Sequence, residues 1–133
     1  MYCFSDLEIL LDNASAPYSG FSVASIVVTK SGEVFKGVNV ESVAYPTTIC
    51  AERNAIFSAV TQGVKAGEIN EVHILARNNE NIFIPAFPCG SCRQVIAEQS
   101  LNKATVYVYH SEEKVTTHTI EDLLPNAFFS LKE

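Results

Sequence analysis

The segment Thr47-Thr48-Ile49-Cys50-Ala51-Glu52-Arg53-Asn54-Ala55-Ile56, continued by Phe57-Ser58-Ala59-Val60-Thr61-Gln62-Gly63, sets a helix between two groups of strands. A threonine precedes the helix, which spans about Cys50 to Thr61, and Gly63 stops it. Upstream, Phe21 to Thr29 is rich in β-branched residues, Lys30 to Glu33 reads as a turn, and Val34 to Val40 returns as the second arm of a hairpin. Before it, Ser5 is placed to cap a helix reaching about Asn13, with Leu7, Leu10, Leu11 and Ala14 at helical spacing. Ala16 to Gly20 breaks that helix. Downstream, Glu71 to Ala76 reads as a strand, Arg77 to Pro88 as a loop, and Cys89 to about Gln99 as a helix. Thr105 to Tyr109 and Val115 to Thr117 complete the strands, and Thr119 with Asp122 resembles the cap of a short helix ended by Pro125. The order is α-β-β-α-β-α-β-β-α. Strands separated by helices argue for an α/β fold, a mixed sheet with helices packed against it.

The 133 residues are one domain's worth, and with no repeat, low-complexity tract or linker the expected unit is a single domain over 1–133. Hydrophobic residues at 47% and charged residues at 18% exclude a disordered chain. A net charge of −6 argues against broad nucleic-acid binding, though it leaves local basic patches open. No apolar run approaches the roughly 18 residues of a membrane span. The first residues lack the basic and apolar regions of a signal peptide, so the expected compartment is the cytoplasm. In a reducing compartment Cys3, Cys50, Cys89 and Cys92 are expected as thiols, and clustered thiols there bind metal or do chemistry.

Cys50-Ala51-Glu52-Arg53 and Pro88-Cys89-Gly90-Ser91-Cys92-Arg93 supply three thiols and a carboxylate near two helix starts. The partial positive charge of a helix N-terminus favours thiolate, the form that binds zinc. Three protein ligands leave a fourth tetrahedral position open, the pattern of a catalytic rather than a structural site. Arg53 and Arg93 are both candidates to hydrogen-bond the sulfurs and offset their charge. Glu52 lies about 200° around the helix from Cys50, yet at the first turn it can flank a metal and shuttle protons. A structural zinc, a redox dithiol and a merely solvated Glu52 are the alternatives, and the third cysteine beside the glutamate tips the balance towards catalytic zinc. Cys3 is expected to be an incidental thiol in a frayed terminus. His73, His110 and His118 read as satisfied or solvated, and Tyr107 and Tyr109 as one packed face of a strand. There is no Gly-rich phosphate loop and no Gly-x-Ser-x-Gly elbow.

These segments form the all-cysteine version of the zinc-deaminase signature, and the chain resembles the small, nucleoside-acting cytidine deaminases. The resemblance is carried by Ala16-Pro17-Tyr18-Ser19 with Phe21, Gly37-Val38-Asn39-Val40-Glu41, Ala44-Tyr45-Pro46, the two cysteine segments, and Leu123-Leu124-Pro125 with Ala127-Phe128. It implies a three-layer α/β/α fold with a five-stranded mixed sheet and one Zn2+ per subunit on Cys50, Cys89 and Cys92. It implies Glu52 as proton shuttle, Asn39 and Glu41 on the ribose 3′-hydroxyl, Phe21 against the pyrimidine, the Ala51 backbone on the base, and Arg53 neutralising the cysteines. Tyr45 and Phe128 are expected to reach a neighbouring subunit's site in a homotetramer with shared active sites.

The implied activity is hydrolytic deamination of cytidine and 2′-deoxycytidine in pyrimidine salvage, with no nucleic-acid or membrane partner. The same chemistry on another amino-heterocycle such as blasticidin S, an editor of single-stranded nucleic acid, and a non-catalytic zinc module closed by Cys3 are the competing readings. The sequence departs from the family pattern at Ser42, Val43 and Ala24, and in a longer 78–87 loop whose Phe83 and Phe87 are candidate tetramer contacts.

Overall fold

The computed structural model describes residues 3–131. Helix α1 (Cys3–Leu11) leads into strands β1 (Ser22–Thr29) and β2 (Val34–Val38). A 3-10 turn (Tyr45–Thr47) precedes α2 (Ala51–Thr61), and β3 (Ile69–Arg77), α3 (Gly90–Gln99), β4 (Thr105–Tyr109), β5 (Val115–Thr119) and α4 (Ile120–Leu123) follow. The five strands form one sheet in the order β2-β1-β3-β4-β5. Only β3 and β4 run parallel, with Val72 opposite Val106; the other neighbours are antiparallel. A parallel pair needs a crossover, and α3 supplies it.

Alternation along the strands divides the core into two clusters. Val27, Val72, Ile74, Val106 and Val108 face α2, α3 and α4, with Ala55, Ile56, Ala59 and Ile96 closing that side. Ala24, Ile26, Leu75 and Tyr109 face α1 through Phe4, Leu7 and Leu11. Both faces of the sheet are thus covered, which is the three-layer α/β/α arrangement the resemblance implies.

Two sequence expectations change. The first helix starts at Cys3 rather than being capped by Ser5. Cys3 is only 1% exposed and packs with Phe4 and Tyr109, so it is not part of a frayed end. An apolar face of Phe4, Leu7 and Leu11 anchors the first turn against the sheet. Phe83 packs its ring 5.5 Å from that of Phe4.

His73 meets the expectation of a satisfied histidine. It is buried, stacked on Tyr107 at 4.5 Å, and held by the Tyr109 hydroxyl and by Glu71 at 2.8 Å each. The neutral tautomer with a proton on Nε2 fits both partners: it donates to the carboxylate and accepts from the phenol. The family departures are absorbed locally. Ala24 is fully buried between Val38 and Leu75, and the Ser42 hydroxyl accepts from Ala44 N at 3.1 Å to hold the turn.

Candidate active site

Two helices on the same face of the sheet, α2 and α3, bring their N-termini together. Cys50 is the residue before the first turn of α2, with extended backbone (φ −77°, ψ 154°), and Cys89 occupies the same position on α3 (φ −67°, ψ 171°). Cys92 lies within the first turn of α3 and is buried. The sulfurs of Cys50 and Cys89 are 3.8 Å apart, and all three lie within 4.8 Å of one another. Tetrahedral geometry at a Zn–S distance of about 2.3 Å requires sulfurs about 3.8 Å apart, so the triad fits zinc. Among the described residues this is the only such cluster of three His, Cys, Asp or Glu side chains. Cys3, on the opposite face of the sheet, cannot close the site as a fourth ligand, which removes the structural-module reading.

The Cys50 thiol is drawn down to about 5, first by the hydrogen bond that Cys92 donates to it and further by Arg53, against the opposing effect of burial. Cys92 is correspondingly pushed up and keeps its proton in that pair. Arg53 Nη2 donates to Cys50 Sγ at 3.3 Å, as expected of its position three residues along the helix. Arg93 does not share that role. Its Nε donates to Pro88 O and its Nη1 to Leu123 O, both at 2.7 Å. One residue beyond Cys92, it is rotated about 100° around the helix, and it ties the loop before Cys89 to the end of α4 instead.

Glu52 is 5% exposed, which excludes a solvated helix residue. Burial, reinforced by the charge of Cys50, pushes its carboxyl up to about 7. It lines the same cavity as Cys50 and Cys89, so the offset around the helix does not separate them. That cavity has a volume of about 260 Å³, the scale of a small molecule rather than a polymer.

Phe21, Asn39, Glu41 and Ala51 all line it as well. Asn39 is nearly buried and spans the end of β1: its Oδ1 accepts from Val23 N at 2.9 Å and its Nδ2 donates to Phe21 O at 2.8 Å. Glu41 Oε1 accepts from Tyr18 N and Ser19 N, at 3.0 and 3.1 Å, and Oε2 accepts from the Ser19 hydroxyl. The Ser19 hydroxyl, helped by those two backbone donors, holds the Glu41 carboxyl below the usual carboxylate range.

Sequence reasoning did not place Thr48, Ile49, Ala86 and Phe87 at the cavity. The Phe87 ring meets His118 edge-on at 5.0 Å. Thr48 and Ile49 immediately precede Cys50 and were the available signal. Tyr45 and Phe128 lie outside the cavity, 71% and 68% exposed.

A family model described as the cytidine and deoxycytidylate deaminase zinc-binding region matches residues 4–109. The chain is 38% identical over 117 residues to a cytidine deaminase of Sporosarcina psychrophila, covering 88% of this chain and 82% of that protein. It is 32% identical over 127 residues to a cytidine deaminase of Mycoplasma genitalium, covering 96% and 93%. The crystal structure of cytidine deaminase from Burkholderia pseudomallei superposes with a TM-score of 0.86 at 35% identity, over 96% of this chain and 97% of that one.

Proposed function

Since the chain belongs to the cytidine and deoxycytidylate deaminase family, we propose that it hydrolyses free cytidine and 2′-deoxycytidine to uridine and 2′-deoxyuridine with release of ammonia. The observation that carries this is one small cavity lined by Cys50 and Cys89 of the three-sulfur cluster, by the buried Glu52 and by the carboxylate of Glu41. No Lys, Arg or His stands among the described residues that line it. A nucleotide's phosphate would find no cation there and would meet the charge of Glu41. The substrate is therefore the nucleoside, and an extended nucleic acid is disfavoured on the same ground. The relatives named above are cytidine deaminases, so blasticidin S is not favoured.

Cys50, Cys89 and Cys92 hold the zinc. When bound, zinc supplies Lewis acidity and lowers the pKa of water towards about 7. Glu52 takes a proton from the attacking water and hands it to ring N3. After attack at C4, a proton passes to the amino group, the C4–N bond breaks, and ammonia leaves. Burial keeps the Glu52 carboxyl near the pH at which it can both accept and return that proton. Asn39 and Glu41 receive the ribose 3′-hydroxyl, Phe21 packs against the pyrimidine, the Ala51 backbone meets the base, and Arg53 neutralises cysteine charge.

The exposed rings of Tyr45 and Phe128, outside their own cavity, support a homotetramer in which they complete a neighbour's site. The chain acts as one domain over 1–133, in the cytoplasm, in pyrimidine salvage. No helix among the described residues is long and apolar enough to cross a membrane.

The test is the ultraviolet change on conversion of cytidine to uridine, with Glu52→Gln in parallel and deoxycytidylate as a second substrate. The wild type turns over the nucleoside and not the nucleotide. The variant keeps zinc and loses about 10⁴-fold in turnover, the upper range for a general acid–base group. Near-normal turnover by Glu52→Gln would remove the shuttle role. No turnover of cytidine by folded, zinc-loaded wild type would reject the substrate.

A further inference from the structure

Ser19 sits behind the cavity wall, where the groups on which substrate recognition depends converge. Glu41 and Phe21 line the cavity and Ser19 does not. The Ser19 hydroxyl donates to Oε2 of Glu41 and accepts the backbone N–H of Phe21 at 3.0 Å. Its own backbone N–H and that of Tyr18 both donate to Oε1 of Glu41. An ionised carboxylate offers about four acceptor sites. The two on Oε1 and one on Oε2 are taken by this turn, which leaves one on Oε2. That remaining site belongs to a residue of the cavity wall, so a hydroxyl donor inside the cavity is the group it suits. An acceptor-only group or an anion would be rejected there.

We propose that Ser19 is a positioning residue for sugar recognition: its hydroxyl, bridging the Phe21 backbone to Glu41, orients the carboxylate oxygen that accepts the nucleoside 3′-hydroxyl. The inference rests on the proposed function, in which Glu41 meets the sugar. It adds a residue that touches no substrate and acts through one that does. Ser19 is itself exposed, and removal of its hydroxyl is expected to cost the fold little, as surface substitutions generally do. The same hydrogen bond is the largest influence holding Glu41 ionised at low pH.

The experiment compares cytidine with 3′-deoxycytidine in the zinc-loaded wild type, Ser19→Ala and Ser19→Thr. In Ser19→Ala, kcat/KM for cytidine falls about 10-fold, the scale of one partly exposed charge-assisted hydrogen bond. The loss is carried by KM rather than kcat. For 3′-deoxycytidine, which lacks the hydroxyl that Glu41 receives, the loss is no more than about twofold. The rise in KM for cytidine on acidification begins at higher pH in Ser19→Ala than in the wild type, because Glu41 has lost its main stabilising donor. Ser19→Thr, which keeps the hydroxyl, restores both the discrimination and the pH profile. Equal losses on the two nucleosides, or no loss on either, would overturn the inference while leaving the activity standing. Failure of Ser19→Thr to rescue would do the same, since a hydroxyl would then not be what matters. Inactivity of the wild type towards both nucleosides would overturn the proposed function, and the role of Ser19 with it.

Discussion

Gly37→Ala tests how the sheet sets the position of the catalytic helix. Gly37 lies in β2 directly beneath the first turns of α2. A Cβ built there meets Ala55 N at 2.4 Å, Ala51 O at 2.6 Å and Ala55 Cα at 3.0 Å. These are backbone atoms of a helix, with no side chain to swing aside. The helix is also fastened at this point, since Asn54 Nδ2 donates to Val38 O at 2.9 Å. One added methyl must therefore lift α2 by roughly half an ångström to an ångström, and overpacking of this kind costs about 1–3 kcal/mol, more where backbone must move. Taking about 3 kcal/mol and an unfolding entropy of about 2.1 cal/mol/K per residue, roughly 0.28 kcal/mol/K for a chain this long, the Tm falls by about 11 °C.

The site should suffer with the fold. Cys50 and Glu52 ride on the N-terminus of α2, and metal–ligand distances tolerate only about ±0.2 Å. The expected result is a variant that folds, melts about 10 °C lower by calorimetry, and binds less than one zinc per chain by metal analysis after dialysis. A variant with wild-type Tm and full zinc would refute the reasoning. It would mean that α2 slides over β2 without cost and that the close approach does not fix the site.

Two further predictions follow. Cys89→Ala removes one of three sulfurs and should lose zinc; stoichiometric metal after dialysis would argue against Cys89 as a ligand. Stability should also fall on acidification through His73. Its pKa is lowered chiefly by burial, with Glu71 opposing, so the fold holds the neutral ring. That contribution is complete above the unfolded value of about 6.5 and is lost as pH drops below it towards the folded value. Denaturant midpoints between pH 7 and 5 should fall more steeply in the wild type than in His73→Gln, and equal slopes would count against it.

The parts of the site that were legible in the sequence are those whose geometry is local. Cys50 stands at a helix start behind Pro46, Thr47 and Thr48, Cys89 stands at one directly behind Pro88, and Cys92 shares an opening turn with Cys89. The α-β-β-α-β-α-β-β-α order was likewise legible, because strand and helix periods differ. What stayed hidden depends on contacts between distant segments. Arg93 carries the same charge one residue from Cys92 as Arg53 carries three residues from Cys50, and only the rotation around each helix separates a sulfur partner from a loop tie. Cys3 looked peripheral because the apolar face that buries it needs Tyr109, more than a hundred residues away. Phe87 joined the cavity because the 78–87 loop folds back, with Asn78 Oδ1 accepting from Glu80 N and Ile82 N, and no periodicity signals such a turn.

The two glutamates of the cavity show how one acidic chain assigns opposite tasks to the same side chain. Glu41 meets three donors from the 18–19 turn and is held ionised below the usual carboxylate range. Glu52, buried beside the Cys50 sulfur, has its carboxyl raised to about 7. The first is an acceptor that a substrate hydroxyl can rely on at any physiological pH, and the second is a group that can take up and release a proton there. Neither property is intrinsic to glutamate. Exchanging the environments would leave a permanently charged group beside the sulfurs and a half-protonated one beside the 18–19 turn. The Cys50 thiolate is tolerated by a different balance. Each of the two helix N-termini contributes roughly half a positive charge, and Arg53 adds a full one at 3.3 Å from Cys50. These charges are supplied by the backbone of α2 and α3 and a single side chain, which is how a protein with a net charge of −6 can gather three sulfurs and a carboxylate in one place.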